Sequence, residues 1–326
     1  MKKTVLGIGN ALVDVLSHVE DTFVQTTGYP KGSMQLVDWK EASRIITQLK
    51  NFEQSSGGSA SNSICALGEL GIESKFIGKI GDDDLGVFYL EDMKHRGVQP
   101  FVIHGNKPTG ICCSLITPDR ERTLLTYLGA AVELDVNELS PHFFENIGVV
   151  YIEGYLIHNQ ELINRSIQLA KNNQAAVAMD LSSFNLVAAN RDYLRSIIDA
   201  GIGILFANEE EIFELTGLPP YESICELRTK TPIIVIKLGA KGSIIGRGSE
   251  VVTVSPIPVT AIDTTGAGDS YAAGFIYGFL NSQPLSICGA IGSLIASRVV
   301  SHIGPKLSNK EWEELLPLID KMIGPR

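Results

Sequence analysis

The chain has 326 residues, of which 44% are hydrophobic and 20% are charged, a composition typical of folded globular proteins and not of disordered ones. Its formal net charge is −10, and no basic cluster interrupts this acidic background, which argues against a nucleic-acid partner. No stretch of about 18 uncharged apolar residues occurs, so no membrane span is predicted.

The cysteines and the amino terminus both indicate a cytoplasmic protein. The five cysteines show no CxxC spacing, which is typical of buried thiols in a reducing compartment. The apolar run that follows Lys2 and Lys3 is interrupted by Asn10 and Asp14, so we do not expect a secretory signal.

The first 130 residues carry short β-rich segments joined by Gly, Pro and Asp turns. Residues 5–9 are predicted as a buried strand, and the later segments look paired and partly exposed. These later segments are 33–37, 99–104, 110–117 and 122–128. We expect parts of 11–38 and 99–128 to form a small β-sheet lid, and the rest of 1–326 to form one large α/β domain beneath it.

A glycine-rich segment at 56–62, SGGSASN, precedes a stretch with helical spacing of apolar residues. Gly57 and Gly58 let the backbone approach a ligand closely, and Asn62 could place its amide against a ligand hydroxyl. A tight turn with a helix cap explains the same residues equally well.

From residue 149 onward, short apolar strands alternate with helical segments, which indicates βαβ units and a parallel sheet. Such sheets bind ligands at their carboxyl edge. The predicted strands are 149–153, 175–181, 202–208 and 232–237, and the predicted helices are 160–172, 192–200, 209–216, 267–281, 284–301 and 309–322.

Two short motifs in this half are weak. The run NEEE at 208–211 could support Mg²⁺ through waters, although a solvated helix terminus is the simpler interpretation. The run KLGAKG at 237–242 is either a turn between strands or a backbone contact to a nucleotide.

The string DTTGAGD at 263–269 is the most specific motif. Gly266, Ala267 and Gly268 would present free N–H groups at the positive end of a helix, which is an anion site. Asp269 would lie beside that site in the first helical turn. An anion hole can stabilise a transferring phosphoryl group while an adjacent carboxylate takes the proton of the attacking hydroxyl. An isolated GxGD is more simply a helix cap, but the whole string is far more specific.

Two other nucleotide-binding motifs are excluded. The chain has no Walker A loop, and the run GIGNAL at 7–12 has Leu12 where a dinucleotide fingerprint needs its third glycine. A Rossmann oxidoreductase is therefore the least favoured class.

Taken together, these segments resemble the ribokinase/PfkB family of carbohydrate and nucleoside kinases. The resemblance covers nearly the whole chain in family order, through Gly9-Asn10, Asp14, 57–86, 208–211, 237–242 and 263–269. It implies a doubly wound, mostly parallel sheet with helices on both faces and a β-sheet lid. It also implies phosphorylation of a hydroxymethyl group by ATP with Mg²⁺.

The resemblance assigns roles to individual residues. Asp269 matches the catalytic base, and Gly266, Ala267 and Gly268 match the anion hole. The positions that match acceptor binding are Asn10, Asp14, Gly57, Gly58 and Asn62. Those on the nucleotide side are Asn208, Lys237, Gly239, Gly242 and Ser293. Glu211 with Asn208 matches a pair associated with Mg²⁺, through water, and Asp263 and Thr265 fall where some members bind a monovalent cation such as K⁺.

The details look most like the adenosine kinase-like branch, on the residues of 9–14, 109–112, 122–123 and 153–156. We therefore predict transfer to the 5′-hydroxyl of a nucleoside, adenosine first. A sugar kinase of the ribokinase or fructokinase type is the alternative, and a non-catalytic sensor of a nucleoside or sugar is the second. The expected partner is a small molecule, and both a monomer and a homodimer stay open.

Overall fold

The computed structural model describes residues 2–324, which form two β-sheets and the helices packed on them. The strands are β1 (Thr4–Ile8), β2 (Leu12–His18), β3 (Met34–Leu36), β4 (Glu53–Gly57), β5 (Glu73–Ile80), β6 (Val98–His104), β7 (Gly110–Ile116), β8 (Arg122–Tyr127), β9 (Val149–Glu153), β10 (Ala176–Asp180), β11 (Ile204–Asn208), β12 (Ile233–Lys237), β13 (Ser243–Arg247) and β14 (Glu250–Val254). The helices are α1 (Asp21–Thr27), α2 (Trp39–Gln48), α3 (Ser59–Glu69), α4 (Asp84–His95), α5 (Gln160–Asn172), α6 (Phe184–Ala189), α7 (Arg191–Asp199), α8 (Glu209–Thr216), α9 (Pro220–Leu227), α10 (Ala267–Leu280), α11 (Leu285–Val299) and α12 (Asn309–Ile323).

The larger sheet is nine-stranded, in the order β14-β13-β12-β11-β10-β9-β1-β5-β6. It is parallel from β6 to β12, and β13 and β14 extend it antiparallel. The chain winds outward from β1 through β5 to β6, and then in the other direction from β9 to β14. The predicted doubly wound sheet is confirmed, and its switch point lies between β1 and β9, where such sheets bind ligands.

Two apolar layers cover the faces of this sheet. Along β1, Val5 faces a layer that includes residues of α3, α10 and α11. Leu6 and Ile8 face a second layer that includes residues of α5, α7 and α8. Because side chains alternate along a strand, continuous apolar strands of this kind are buried on both sides. Among residues 2–324, no helix is long and apolar enough to cross a membrane.

The smaller sheet is five-stranded, in the order β3-β8-β7-β2-β4. The chain segments that form it differ from those predicted for the lid. Residues 98–104, expected in the lid, form β6 at the edge of the larger sheet, where they pair parallel with β5 and Phe101 stacks on Phe143. Residues 53–57, not expected there, form β4, which pairs antiparallel with β2. The polar sequence of β4 (EQSSG) has no apolar alternation, so its partner strand alone defines it.

Candidate active site

Adjacent parallel strands of the larger sheet end in polar residues at one edge. Asn10 follows β1, and Glu153, Asp180, Asn208 and Lys237 end β9, β10, β11 and β12. Because parallel strands share their carboxyl edge, the order of the strands brings these side chains into one line. They form the floor of the candidate site.

Glu153 ties the first strand to the glycine-rich segment. Its buried carboxylate accepts hydrogen bonds from the backbone N–H of Asn10 (2.8 Å), from Asn10 Nδ2 (2.6 Å) and from the N–H of Ala60 (2.8 Å). Burial raises the pKa of Glu153 to about 7. A Cβ on Gly9 would overlap this carboxylate, so only glycine fits there. Glu153 is a site residue that was not predicted from the sequence.

The glycines at 57 and 58 make room for two groups that are predicted to bind the acceptor. A Cβ on Gly57 would overlap the carboxylate of Asp14, and a Cβ on Gly58 would overlap the carbonyl oxygen of Asn10. Gly58 also has a φ of +98°, a region that favours glycine. Burial raises the pKa of Asp14 to about 6. The close approach of the backbone therefore brings Asp14 and Asn10 to the amino terminus of α3, and a turn alone does not explain these glycines.

Asp269 lies where the amino termini of α3 and α10 meet. Its two carboxylate oxygens accept hydrogen bonds from Ser59 Oγ (2.7 Å) and Asn62 Nδ2 (3.0 Å). Helix α10 begins at Ala267, after Gly266 with a φ of +72°. The N–H of Ala267 already donates to Thr264 O at 3.2 Å, so of the three predicted anion-hole amides those of Gly266 and Gly268 are the candidates for an anion. Burial raises the pKa of Asp269 to about 6, against those two hydrogen bonds. The structure thus brings the predicted base, anion hole and acceptor residues together.

One member of the predicted metal pair, Glu211, is buried. Asn208 and Glu211 form a reciprocal cap of α8, in which Asn208 Oδ1 accepts from the N–H of Glu211 and the Glu211 carboxylate accepts from Asn208 N and Nδ2, each at 2.8 Å. Glu211 is only 3% exposed, so the simpler interpretation as a solvated helix terminus fails for this residue, whereas Glu209 and Glu210 are exposed as it predicts. Burial, followed by the charge of Asp180, raises the pKa of Glu211 to about 7. This excess of buried negative charge suits a hydrated cation.

The other residues that are predicted to contact the nucleotide lie further along the sheet. Gly239 and Gly242, with φ of +57° and +90°, form the turn between β12 and β13, as the sequence predicts. Ser293 is buried in α11, which packs against β13 and β14. Positive φ accounts for both glycines, and a contact of these residues to a nucleotide stays a prediction.

Arg122 of β8 links the smaller sheet to the anion-hole loop. Its guanidinium forms an ion pair with Asp263 and donates a hydrogen bond to Thr265 Oγ1. The Asp263 carboxylate also accepts from the N–H of Thr265 (2.9 Å) and of Gly304 (2.7 Å). The oxygens expected to bind a monovalent cation are therefore engaged, and a guanidinium already balances their charge. In this arrangement Asp263 and Thr265 do not fit a free K⁺ ion.

The elevated pKa of Asp269 predicts opposite effects of pH on activity and on stability. Because a general base must be ionised, we expect kcat to fall about tenfold per pH unit below about pH 6 and to be flat above it. The native carboxyl binds its proton more tightly than the unfolded chain does. Its contribution to stability is therefore complete below about pH 4 and is lost as the pH rises through about 6.

Both halves of this prediction can be measured on one pair of proteins. The Asp269→Asn variant cannot ionise at this position, so its Tm relative to the native chain should rise between about pH 4 and pH 7. Thermal unfolding of both proteins across that range gives the difference, and kcat of the native chain gives the activity profile. A kcat that is flat down to pH 5, or a Tm difference that falls with pH, would contradict the prediction.

Comparison with known proteins places the chain among kinases. A family model described as pfkB family carbohydrate kinase matches residues 32–312. An uncharacterized sugar kinase from Archaeoglobus fulgidus is 29% identical over 254 residues, which cover 74% of this chain and 96% of that protein. A 5-dehydro-2-deoxygluconokinase from Clostridium perfringens is 28% identical over 274 residues, covering 78% of this chain and 81% of that protein.

Two solved structures are similar over nearly their full length. A probable sugar kinase from Rhizobium etli superposes with a TM-score of 0.87 and 30% identity, covering 97% of this chain and 98% of that chain. An adenosine kinase from Sinorhizobium meliloti superposes with a TM-score of 0.86 and 31% identity, covering 98% of each chain.

Proposed function

Because the chain belongs to the pfkB family of carbohydrate kinases, and is therefore a kinase for a sugar or a nucleoside, we propose that its acceptor is the 5′-hydroxyl of a nucleoside, with adenosine the first candidate. The observation that carries this proposal is the chemical gradient across the open face of the smaller sheet.

The smaller sheet has one covered and one open face. Helix α2 packs on the face that carries Leu125 and Tyr127. The opposite face carries Asp14 of β2 and Arg122 of β8. Arg122 forms an ion pair with Asp263. This open face is therefore turned toward the anion-hole loop.

The strand register forms a row across that open face. Paired residues of neighbouring strands share a face, and the pairs join Asp14 to Cys112, Cys112 to Thr126 and Thr126 to Leu36. We call these four residues the acceptor row. It begins at the carboxylate of Asp14 and ends at Leu36, which is 63% exposed, with Met34 52% exposed in the next row. The row is thus polar near Asp269 and apolar at its outer end.

An aromatic side chain follows the carboxyl end of β9, at the sheet edge that carries the candidate site. Tyr155 follows β9, is partly exposed and donates its hydroxyl to Ser182 O at 3.3 Å. Burial, followed by the charges of Asp269 and Glu153, raises the pKa of Tyr155. A partly exposed ring at this edge and the aliphatic end of the acceptor row suit a flat nucleobase, with the sugar hydroxyls at Asp14. A free sugar would need more polar partners there.

The proposed reaction is in-line transfer from ATP. Asp269 takes the proton of the 5′-hydroxyl, Asn62 and Ser59 hold the Asp269 carboxylate in place, and the amides of Gly266 and Gly268 stabilise charge on the phosphoryl group. Mg²⁺, held through water by Glu211, would neutralise phosphate charge. Within residues 2–324 no cluster of three metal-ligating side chains occurs, which suits an ion bound mainly through water and phosphates.

A sugar acceptor is the second candidate, because the two sequence relatives described above are sugar kinases. Asp14 and Asn62 could hold the hydroxyls of either acceptor. A sensor that only binds its ligand does not need a general base. The hydrogen bonds that hold the Asp269 carboxylate in place therefore favour a kinase over a sensor.

The test is ADP release with Mg-ATP across a panel of acceptors: adenosine, inosine, cytidine, ribose, fructose, 5-dehydro-2-deoxygluconate and none. We expect kcat/KM for adenosine to exceed that for any sugar by about a hundredfold or more. Leu36→Ser should lower kcat/KM for adenosine about tenfold, because a nucleobase loses apolar contact, and should leave ribose unaffected.

The matched control is Val87→Ser, since Val87 is 56% exposed on α4 and should change neither substrate. Turnover of a sugar without turnover of adenosine would overturn the acceptor and retain the kinase. Equal effects of Leu36→Ser on adenosine and on ribose would contradict the base-binding role of the row.

A further inference from the structure

A buried lysine–carboxylate pair lies beside the anion hole. Lys237 at the end of β12 and Asp180 at the end of β10 are separated by β11, and Lys237 Nζ is 2.6 Å from Asp180 Oδ2. The two side chains are only 15% and 4% exposed. Asp180 Oδ1 accepts from the N–H of Ser182 at 3.0 Å, so the carboxylate is fixed on its other side as well.

The ammonium group of Lys237 faces the backbone of the anion hole. A Cβ built on Gly268 would lie 3.1 Å from Lys237 Nζ. The charged groups around Lys237 are Asp180, Glu211 and Asp269, all of which favour its protonated form. An ammonium carries three donors, and the hydrogen bond to Asp180 uses one of them.

The three carboxylates favour this charge, but its position beside a helix terminus does not. The amino terminus of a helix carries partial positive charge and disfavours a neighbouring cation. Lys237 nevertheless lies against the first turn of α10. A buried ion pair also contributes little net stability compared with apolar side chains of similar size. Two positive groups converging on one point are what a bound phosphate needs.

We propose that Lys237 is a catalytic residue that binds the phosphate oxygens of the nucleotide beside the amides of Gly266 and Gly268, and that Asp180 is the positioning residue that aims it. This inference rests on the proposed function. During transfer, the bond between the γ-phosphorus and the β,γ-bridging oxygen breaks and a bond from the acceptor oxygen forms. The proton of the acceptor goes to Asp269, while Lys237 keeps its own proton and offsets the charge of the oxygens.

The competing explanation is that Lys237 only neutralises Asp180. A pair of variants separates the two. Lys237→Met alone leaves Asp180 buried without its partner and is expected to lower Tm. The double variant Lys237→Met, Asp180→Asn removes both charges, so its Tm should return close to the native value under either explanation.

The activity of the double variant then distinguishes the two explanations. If Lys237 binds phosphate, the double variant keeps native stability but loses kcat by about a hundredfold or more, and Lys237→Arg retains more activity than Lys237→Met. The affinity of the double variant for a non-hydrolysable ATP analogue, measured by calorimetry, should fall about tenfold. Its affinity for the acceptor should not change. A double variant with native kcat and native affinity for the analogue would overturn the proposal.

The calorimetric measurement also separates this inference from the proposed acceptor. If adenosine is not the acceptor, the native chain itself shows no turnover with adenosine. The affinity for the ATP analogue still reports on Lys237 in that case, because it needs no acceptor.

Discussion

Replacing Asp269 with Asn is expected to lower kcat by about a thousandfold or more. The new amide is close in size to the carboxylate but cannot take the proton of the acceptor hydroxyl. The site can accommodate it, because Ser59 can still donate to its oxygen. Asn62 Oδ1, which is buried without a hydrogen-bond partner, can accept from its nitrogen once the Asn62 amide turns over. Acceptor affinity should therefore change by less than about threefold.

Steady-state kinetics and acceptor binding, measured on the same preparation, check this result. Asp199→Asn is the control, because Asp199 is 53% exposed in an ion pair with Lys230 and exposed pairs contribute little. It should leave kcat unchanged. An Asp269→Asn variant with kcat within tenfold of the native value would remove Asp269 from the role of base.

The second large effect is expected at Gly58, on stability. Gly58→Ala forces an alanine into a backbone conformation with φ +98° and brings its Cβ against the carbonyl oxygen of Asn10. We expect a loss of about 3 kcal/mol or more in the free energy of unfolding. Acceptor affinity should fall as well, because the backbone that carries Asn10 must move.

The other end of the same helix supplies the matched control. Gly71 follows α3 with φ +78°, and a Cβ there meets nothing within 4 Å. Gly71→Ala therefore adds only the cost of the left-handed conformation, about 1–2 kcal/mol. Urea unfolding of both variants isolates the steric part as the difference between them. Equal losses would show that the contact with Asn10 is relieved at no cost.

The sequence predicts the larger sheet better than the smaller one, for a physical reason. Strands buried on both faces, such as β9 and β12, are continuous apolar runs that any reading of periodicity detects. A lid strand such as β4 is polar and short, and its place is set by pairing with β2. Likewise, the apolar sequence of β6 does not indicate which of the two sheets this strand joins. Pairing partners far apart in sequence decide both cases.

The candidate site divides in the same way. Asp269 and the glycines around it could be predicted because they lie in one contiguous string. Glu153, Asp180 and Arg122 could not be assigned to the site, because each stands alone on its own strand and only the folded sheets bring them to it. A weak signal did exist for the first two, since an acidic residue that ends an apolar strand of a parallel sheet must lie at the ligand-binding edge.

Under the proposed function, the acceptor row separates the choice of alcohol from the transfer chemistry. Its members, from Asp14 to Leu36, come from β2, β7, β8 and β3 of the smaller sheet, whereas the base and the anion hole come from one loop and helix of the larger sheet. A duplicated copy of the gene could therefore acquire a new substrate through changes at Cys112, Thr126 and Leu36 while its catalytic loop stays intact. The same three positions are where a designer would build a library to retarget the enzyme to other alcohols.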